Sequence, residues 1–157
     1  MILDHGSRVE VSAPDVEHSR NNVDFGKGFY VTPIYDQARK WAEKFARNGK
    51  PAFISRYAFD ENALKECKTC IFDTYSAEWL SFILACRSGR DHSDYDIVIG
   101  GVANDKVFNT VELFFDGLID QEEAIKRLRY EKPNLQIAFR SQSTIDQYLH
   151  FEGSEQL

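Results

Sequence analysis

Two short stretches near the start of the chain carry residue types from which a small-molecule site can be built. The first is His5-Gly6-Ser7, which closes a brief apolar run, Met1 to Leu3. An imidazole, a bare backbone amide and a hydroxyl in succession form a compact set for the hydroxyls and amides of a small ligand. The second runs Asp24-Phe25-Gly26-Lys27-Gly28-Phe29-Tyr30-Val31-Thr32. Glycines on both sides of Lys27 let the backbone turn tightly and approach a ligand closely. The aromatic pair Phe29 and Tyr30 follows at once, and an aromatic face held beside such a turn is a shelf for a stacked ring. The competing reading is a hairpin-like turn whose aromatics simply enter the core.

Elements must hold these residues in place, and the hydrophobic pattern names them. Met1 to Ser12 reads as a first strand and its continuation, with Val9 and Val11 alternating against Arg8 and Glu10. Ala13 to Val23 is polar and reads as an exposed loop carrying Arg20. Gly28 to Thr32 reads as a short strand, rich in aromatic and β-branched residues. From Ile34 to Arg47 the pattern is helical, with Ile34, Ala38, Trp41, Ala42 and Phe45 on one stripe, Pro33 at the entry and Gly49 at the exit. A strand over Ala52–Asp60, one helical turn over Glu61–Glu66, a short strand through Cys70 to Phe72 and a helix over Ser76–Arg87 follow. Ile97 to Ile99 is a continuous apolar run, as for a strand covered on both faces. The helices Lys106–Phe115 and Gln121–Leu128 read as scaffold. Asn134 to Ser141 is a strand whose Gln136, Ala138 and Arg140 face away from Leu135, Ile137 and Phe139. A helix over Thr144–Leu149 and a closing strand, His150–Glu152, complete the chain. The fold class is α+β in a single domain, 1–157.

At 157 residues with 43% hydrophobic and 13% aromatic residues, the chain can bury a core without metal or disulfide staples. A net charge of -6 argues against a general electrostatic hold on nucleic acid or an anionic membrane. No apolar run approaches a membrane span and no secretory leader is evident at the start, so a cytoplasmic protein is the expectation. Three cysteines suit a reducing compartment. Cys67 and Cys70 form a Cys-x-x-Cys that Cys86 and His92 would have to complete. Cys86 falls seven residues after Trp79, on the buried face of its helix with Leu80 and Ile83. No metal site is expected.

Taken in order, His5-Gly6-Ser7, the Asp24–Tyr30 turn and the helix containing Gln37-Ala38-x-x-Trp41-Ala42 resemble the ADP-ribosyltransferase superfamily in its His-Tyr-Glu branch. The poly-ADP-ribose polymerases and diphtheria toxin belong to that branch. The resemblance is strongest to a bacterial domain family of unknown function, with a Tyr-His-Gly-Ser start, an Asp-Phe-Gly-Lys-Gly-Phe-Tyr turn and a Tyr-Asp-Ile-Val-Ile-Gly segment followed by an acidic pair. Here Asn104 and Asp105 stand at that pair, and a helix cap is the simpler role for Asp105. The resemblance implies an ADP-ribosyltransferase-like fold, two small packed β-sheets flanked by helices around an NAD cleft, and NAD as substrate without a metal.

On the same resemblance, His5 binds the adenosine ribose, Gly6 reads the nicotinamide carboxamide through its backbone, and Ser7 holds the ribose side. Tyr30 stacks on the nicotinamide with Trp41 opposite, and Arg20 is the residue to watch for the diphosphate. Phe25, Gly26, Gly28, Phe29 and Thr32 complete the cofactor-binding set, and His5, Tyr30 and Gln136 are the catalytic triad. Gln136 departs from the branch, which has a glutamate there to favour the developing positive charge. Glu152 or Glu112 are carboxylates that could substitute. Asp4 also departs, replacing the aromatic before the histidine, with an expected effect on the adenine end. The activity implied is mono-ADP-ribosyl transfer to a macromolecule, protein or nucleic acid, as in a toxin or effector with a cognate antitoxin or immunity protein. Two alternatives stand: a non-catalytic module binding NAD, ADP-ribose or a nucleic-acid end, and a protein-interaction domain with an empty pocket.

Overall fold

The computed structural model describes residues 1–103, 105–128 and 134–157. In chain order the elements are β1 (Ile2–Ser7), β2 (Phe29–Val31), α1 (Tyr35–Arg47), β3 (Phe53–Phe59), α2 (Ala63–Glu66), β4 (Thr69–Ile71), α3 (Ala77–Arg87), β5 (Ile97–Gly100), α4 (Asp105–Phe115), α5 (Gln121–Leu128), β6 (Gln136–Phe139), α6 (Gln142–Tyr148) and β7 (Leu149–Gln156). Among the described residues this is an α+β chain of two small sheets and six helices. Asn104 lies outside the described residues, and with it the acidic pair to which it would belong.

The strands form two sheets because their alternation offers two kinds of face. The first has the order β1-β3-β7 and is antiparallel throughout. The second has the order β2-β6-β5-β4, with only β4 and β5 parallel. Leu3, Tyr57, Phe59 and Leu149 from the first sheet meet Phe29, Val31, Ile97, Ile137 and Phe139 from the second in one core between the sheets. Period-two alternation sends Val98 and Ala138 to the other face of the second sheet. There they pack with Trp79, Leu80 and Ile83 of α3, Val107 and Val111 of α4, and Ala124 and Leu128 of α5. On the outer face of the first sheet, Ile54 packs with Ala38 and Ala42 of α1.

Local chemistry sets the element ends. The Ser76 side chain accepts from the Trp79 amide at 3.1 Å and starts α3, and Asp120 accepts from the Glu123 amide at 2.8 Å at the start of α5. Gly49, at φ +71, lies just beyond the end of α1. The first strand is shorter than its alternating pattern, stopping at Ser7. Beyond it, the Val11 amide donates to Ser55 Oγ at 3.0 Å and the Val11 carbonyl accepts from the Tyr57 hydroxyl at 2.6 Å. Side chains of β3 thus hold this segment where a ladder was expected. The closing strand is longer than expected, reaching Gln156, because backbone pairing with β3 continues past a register shift at Arg56/Tyr57 opposite Gly153, which has φ +144.

Candidate functional site

Among the described residues the two sheets exchange backbone hydrogen bonds with each other at one place, and the site opens there. Asp4 and Thr32 exchange backbone hydrogen bonds, Asp4 N–H to Thr32 O at 2.8 Å and Thr32 N–H to Asp4 O at 2.9 Å, as an isolated antiparallel bridge between β1 and β2. A continued ladder would next pair Gly6 with Tyr30. Instead the imidazole Nδ1 of His5 takes the Tyr30 carbonyl at 2.7 Å. The strands part from this point. By strand alternation the N–H and C=O of Gly6 point to the same edge as those of Asp4, the edge from which β2 has turned away.

Because a carbonyl only accepts, His5 Nδ1 carries the proton in that bond. Burial holds the imidazole below its ordinary value, against a smaller opposite pull from the Tyr30 carbonyl, so at neutral pH the ring is uncharged and its Nε2 is an acceptor. The ring packs against Phe29 at 4.5 Å between centroids. Tyr30 uses its hydroxyl inside the turn, donating to the Gly26 carbonyl at 2.6 Å and accepting from the Phe25 amide at 3.0 Å. Burial, reinforced by the charge of Asp24, pushes this phenol above its ordinary range. The hydroxyl is a structural tie, and what Tyr30 offers to the site is its ring.

A cleft of about 1350 Å³ opens here, lined by His5, Ser7, Arg20, Gly28, Phe29, Tyr30, Trp41 and Gln136 among others. Eight of the expected site residues are therefore brought together from β1, β2, α1, β6 and the loops before β2. The others stand outside the lining, each for a visible reason. Gly6 is a packing glycine, since a Cβ there would lie 2.1 Å from the Ala38 carbonyl oxygen of α1. Phe25 is fully buried in the core beneath the second sheet. Gly26 supplies the positive φ of the turn, +79. Thr32 is fully buried, its hydroxyl donating to Leu135 O at 2.7 Å and accepting from the Ile34 amide at 3.1 Å. Asp4 likewise stands outside the lining, its buried carboxylate paired with Arg56 at 2.9 Å.

The largest correction concerns α4, which the hydrophobic pattern casts as scaffold. Its Phe108, Glu112 and Phe115 line the cleft. Their spacing of four and three residues puts them on one helix face, and Val107 and Val111 on the buried one. Glu152, the other carboxylate considered, is exposed on β7 and lies outside the lining, whereas Glu112 is in it.

Gln136 is 5% exposed, at the start of β6. Its amide nitrogen sits between two acceptors, Asp24 Oδ2 at 3.3 Å and the Gly101 carbonyl at 3.4 Å. Two acceptors on one side identify that side as NH₂, which leaves Oε1 without a protein partner among the described residues. Arg87 gathers the neighbouring carboxylates. Its Nη2 and Nε donate to Asp24 Oδ1 at 2.6 and 3.1 Å, its Nη1 to Glu112 Oε1 at 3.2 Å, and its guanidinium lies 4.5 Å from the Phe108 ring centroid. Sequence reasoning missed Arg87 and Asp24. The available signal was weak: Arg87 stands four residues after Ile83 and seven after Leu80, so a charge closes the apolar stripe of its helix.

Cys86 is buried, and burial pushes its thiol up to about 12, so it is inert. Among the described residues no group of three or more His, Cys, Asp or Glu is arranged to hold a metal ion, and no helix is long and apolar enough to cross a membrane.

Fold and site together define an α+β domain with a cleft where two joined sheets part. The chain belongs to the family described as "Protein of unknown function (DUF3990)", whose model matches residues 1–151. No curated protein and no solved structure matches it.

Proposed function

We propose that this is an NAD-binding domain of the ADP-ribosyltransferase type, transferring ADP-ribose from NAD to a macromolecular acceptor. The observation that carries the reading is the junction of the sheets. A neutral imidazole held by the Tyr30 carbonyl lines the cleft together with Tyr30 and Trp41. An imidazole acceptor suits ribose hydroxyls, and two aromatic rings suit a stacked pyridinium. The cleft is larger than the ordinary small-ligand pocket, so a dinucleotide and an approaching nucleophile both have room. Gln136 supports the second reading, a non-catalytic binder, because it brings an amide where charge stabilisation would be wanted.

Thermal unfolding with NAD tests both readings, since a ligand bound only by the native state raises stability by mass action, about 2.7 kcal/mol at a hundredfold excess over Kd. We expect a raised midpoint in the wild type, its loss in His5→Ala and Trp41→Ala, and its retention in Tyr30→Phe, which keeps the ring. Release of nicotinamide then separates transferase from binder. An unchanged wild-type midpoint at millimolar NAD overturns both.

A further inference from the structure

Cleavage of a glycosidic bond to a cationic leaving group builds positive charge on the sugar, and transfer to a nucleophile releases a proton. Residue 136, being an amide, can neither oppose that charge nor take that proton. The structure contains a reason for the amide. Its nitrogen faces Asp24 Oδ2 and the Gly101 carbonyl, so a carboxylate there would meet two acceptors, one of them charged. With the nitrogen engaged on that side, Oε1 is the atom left for a ligand hydroxyl.

Five carboxylates line the cleft, Glu10, Asp15, Asp24, Glu112 and Asp116, and of these Asp24 and Glu112 share Arg87 and are joined through it to Gln136 by hydrogen bonds. Asp24 has both oxygens engaged, Oδ1 by Arg87 and Oδ2 by Gln136. Asp15 has both oxygens on His18. Glu112 gives one oxygen to Arg87 and, with its side chain 45% exposed, keeps the other for the cleft. Arg87, 14% exposed and packed over Phe108, holds Glu112 in place.

Resting on the transferase reading, we propose that the two tasks of a single acid are divided in this chain. Asp24 is the positioning residue that turns the Gln136 oxygen toward the ribose, and Glu112 is the catalytic carboxylate that receives the acceptor's proton. In the balanced step, the C1′–N bond of NAD breaks and its electron pair leaves with nicotinamide, neutralising the pyridinium. The acceptor oxygen or nitrogen bonds to C1′, and its proton passes to Glu112 and on to solvent. With water as acceptor the products are ADP-ribose, nicotinamide and a proton.

The test uses purified full chain with NAD and water as acceptor, measuring nicotinamide release across pH, the NAD-induced change in melting midpoint, and the midpoint without ligand. Glu112→Gln is expected to keep the NAD-induced change, lower release by about 100-fold and lose the acid limb of the pH profile, with Glu112→Asp retaining part of both. Gln136→Glu is expected to lower the ligand-free midpoint and abolish the NAD response. Adding Asp24→Asn should restore the NAD response, the asparagine amide donating to the new carboxylate. Wild-type release in Glu112→Gln overturns the catalytic role. An unchanged NAD response in Gln136→Glu, or no rescue by Asp24→Asn, overturns the positioning role. If the wild type neither responds to NAD nor releases nicotinamide, the transferase reading falls and the Glu112 role with it. The ligand-free midpoint of Gln136→Glu still reports the Asp24 contact by itself.

Discussion

The His5 imidazole does two things: its Nδ1 takes the Tyr30 carbonyl where the ladder between β1 and β2 ends, and the residue lines the cleft. Acceptance by the second nitrogen needs the neutral ring, whereas Nδ1 donates in either state, and burial keeps the ring neutral by lowering its pKa. The sign of the resulting pH dependence follows from proton counting. As pH falls below about 6.5 the unfolded chain protonates this ring while the folded chain resists. The unfolded state binds more protons over that interval, so stability present above it is lost as pH falls through the folded value. Urea midpoints at pH 7.5 and 5.0 should therefore fall further in the wild type than in His5→Gln, and parallel losses would contradict this account. The comparison between the two proteins cancels the contributions of the other histidines and the carboxylates.

At the scale of elements, the approach of α1 to β1 decides how wide the cleft can be, since Trp41 and Phe45 line it from α1. Gly6 permits that approach: a Cβ would come within 2.1 Å of the Ala38 carbonyl oxygen and 2.9 Å of the Ala42 nitrogen. Both neighbours are backbone, so relief requires the helix itself to move. Gly6→Ala should cost about 3 kcal/mol in chemical unfolding and displace Trp41. A substitution without cost would mean that α1 is loosely seated. Gln37 is a second device of the same kind. Buried on α1, it donates to the Leu135 carbonyl at 2.7 Å and accepts from the Leu135 amide at 3.3 Å, tying the helix to the residue before β6 and hence to Gln136.

For the whole molecule, the core between the sheets is common property, with residues from β1, β3 and β7 interleaved with those of β2, β5 and β6. Neither sheet can bury its inner face alone, which predicts one cooperative transition. The two tryptophans report on different layers, Trp41 from α1 outside the first sheet and fully buried Trp79 from α3 beneath the second. In each single-tryptophan variant, Trp41→Phe and Trp79→Phe, the urea transition by fluorescence should coincide with that same variant's transition by far-ultraviolet circular dichroism. Separated midpoints would show that the sheets unfold independently and that the cleft between their edges can open without global unfolding.

Much of this architecture is legible in the residues alone, because local periodicity is a property of neighbours in sequence. The stripe of Ala38, Trp41, Ala42 and Phe45 announces α1, and the alternation of Ile137 and Phe139 against Gln136 and Ala138 announces β6 with Gln136 opposite the apolar face. The turn at Gly26 and the aromatic pair after it are equally readable, since positive φ favours glycine. Other facts depend on which distant segments meet, and spacing holds no record of them. Whether Gly28 faces a ligand or a backbone is one: it does line the cleft, yet a Cβ there would also lie 2.7 Å from the Phe139 carbonyl oxygen across the sheet. The role of α4 is another, because its face bearing Phe108 and Glu112 acquires meaning only when α3 brings Arg87 beside it. The sequence by itself determined the elements and the residues at the sheet junction. Only the tertiary structure decided that Asp24, 112 positions before Gln136, sets the orientation of that amide. A hydrogen bond between residues so far apart exists only once the chain has closed on itself.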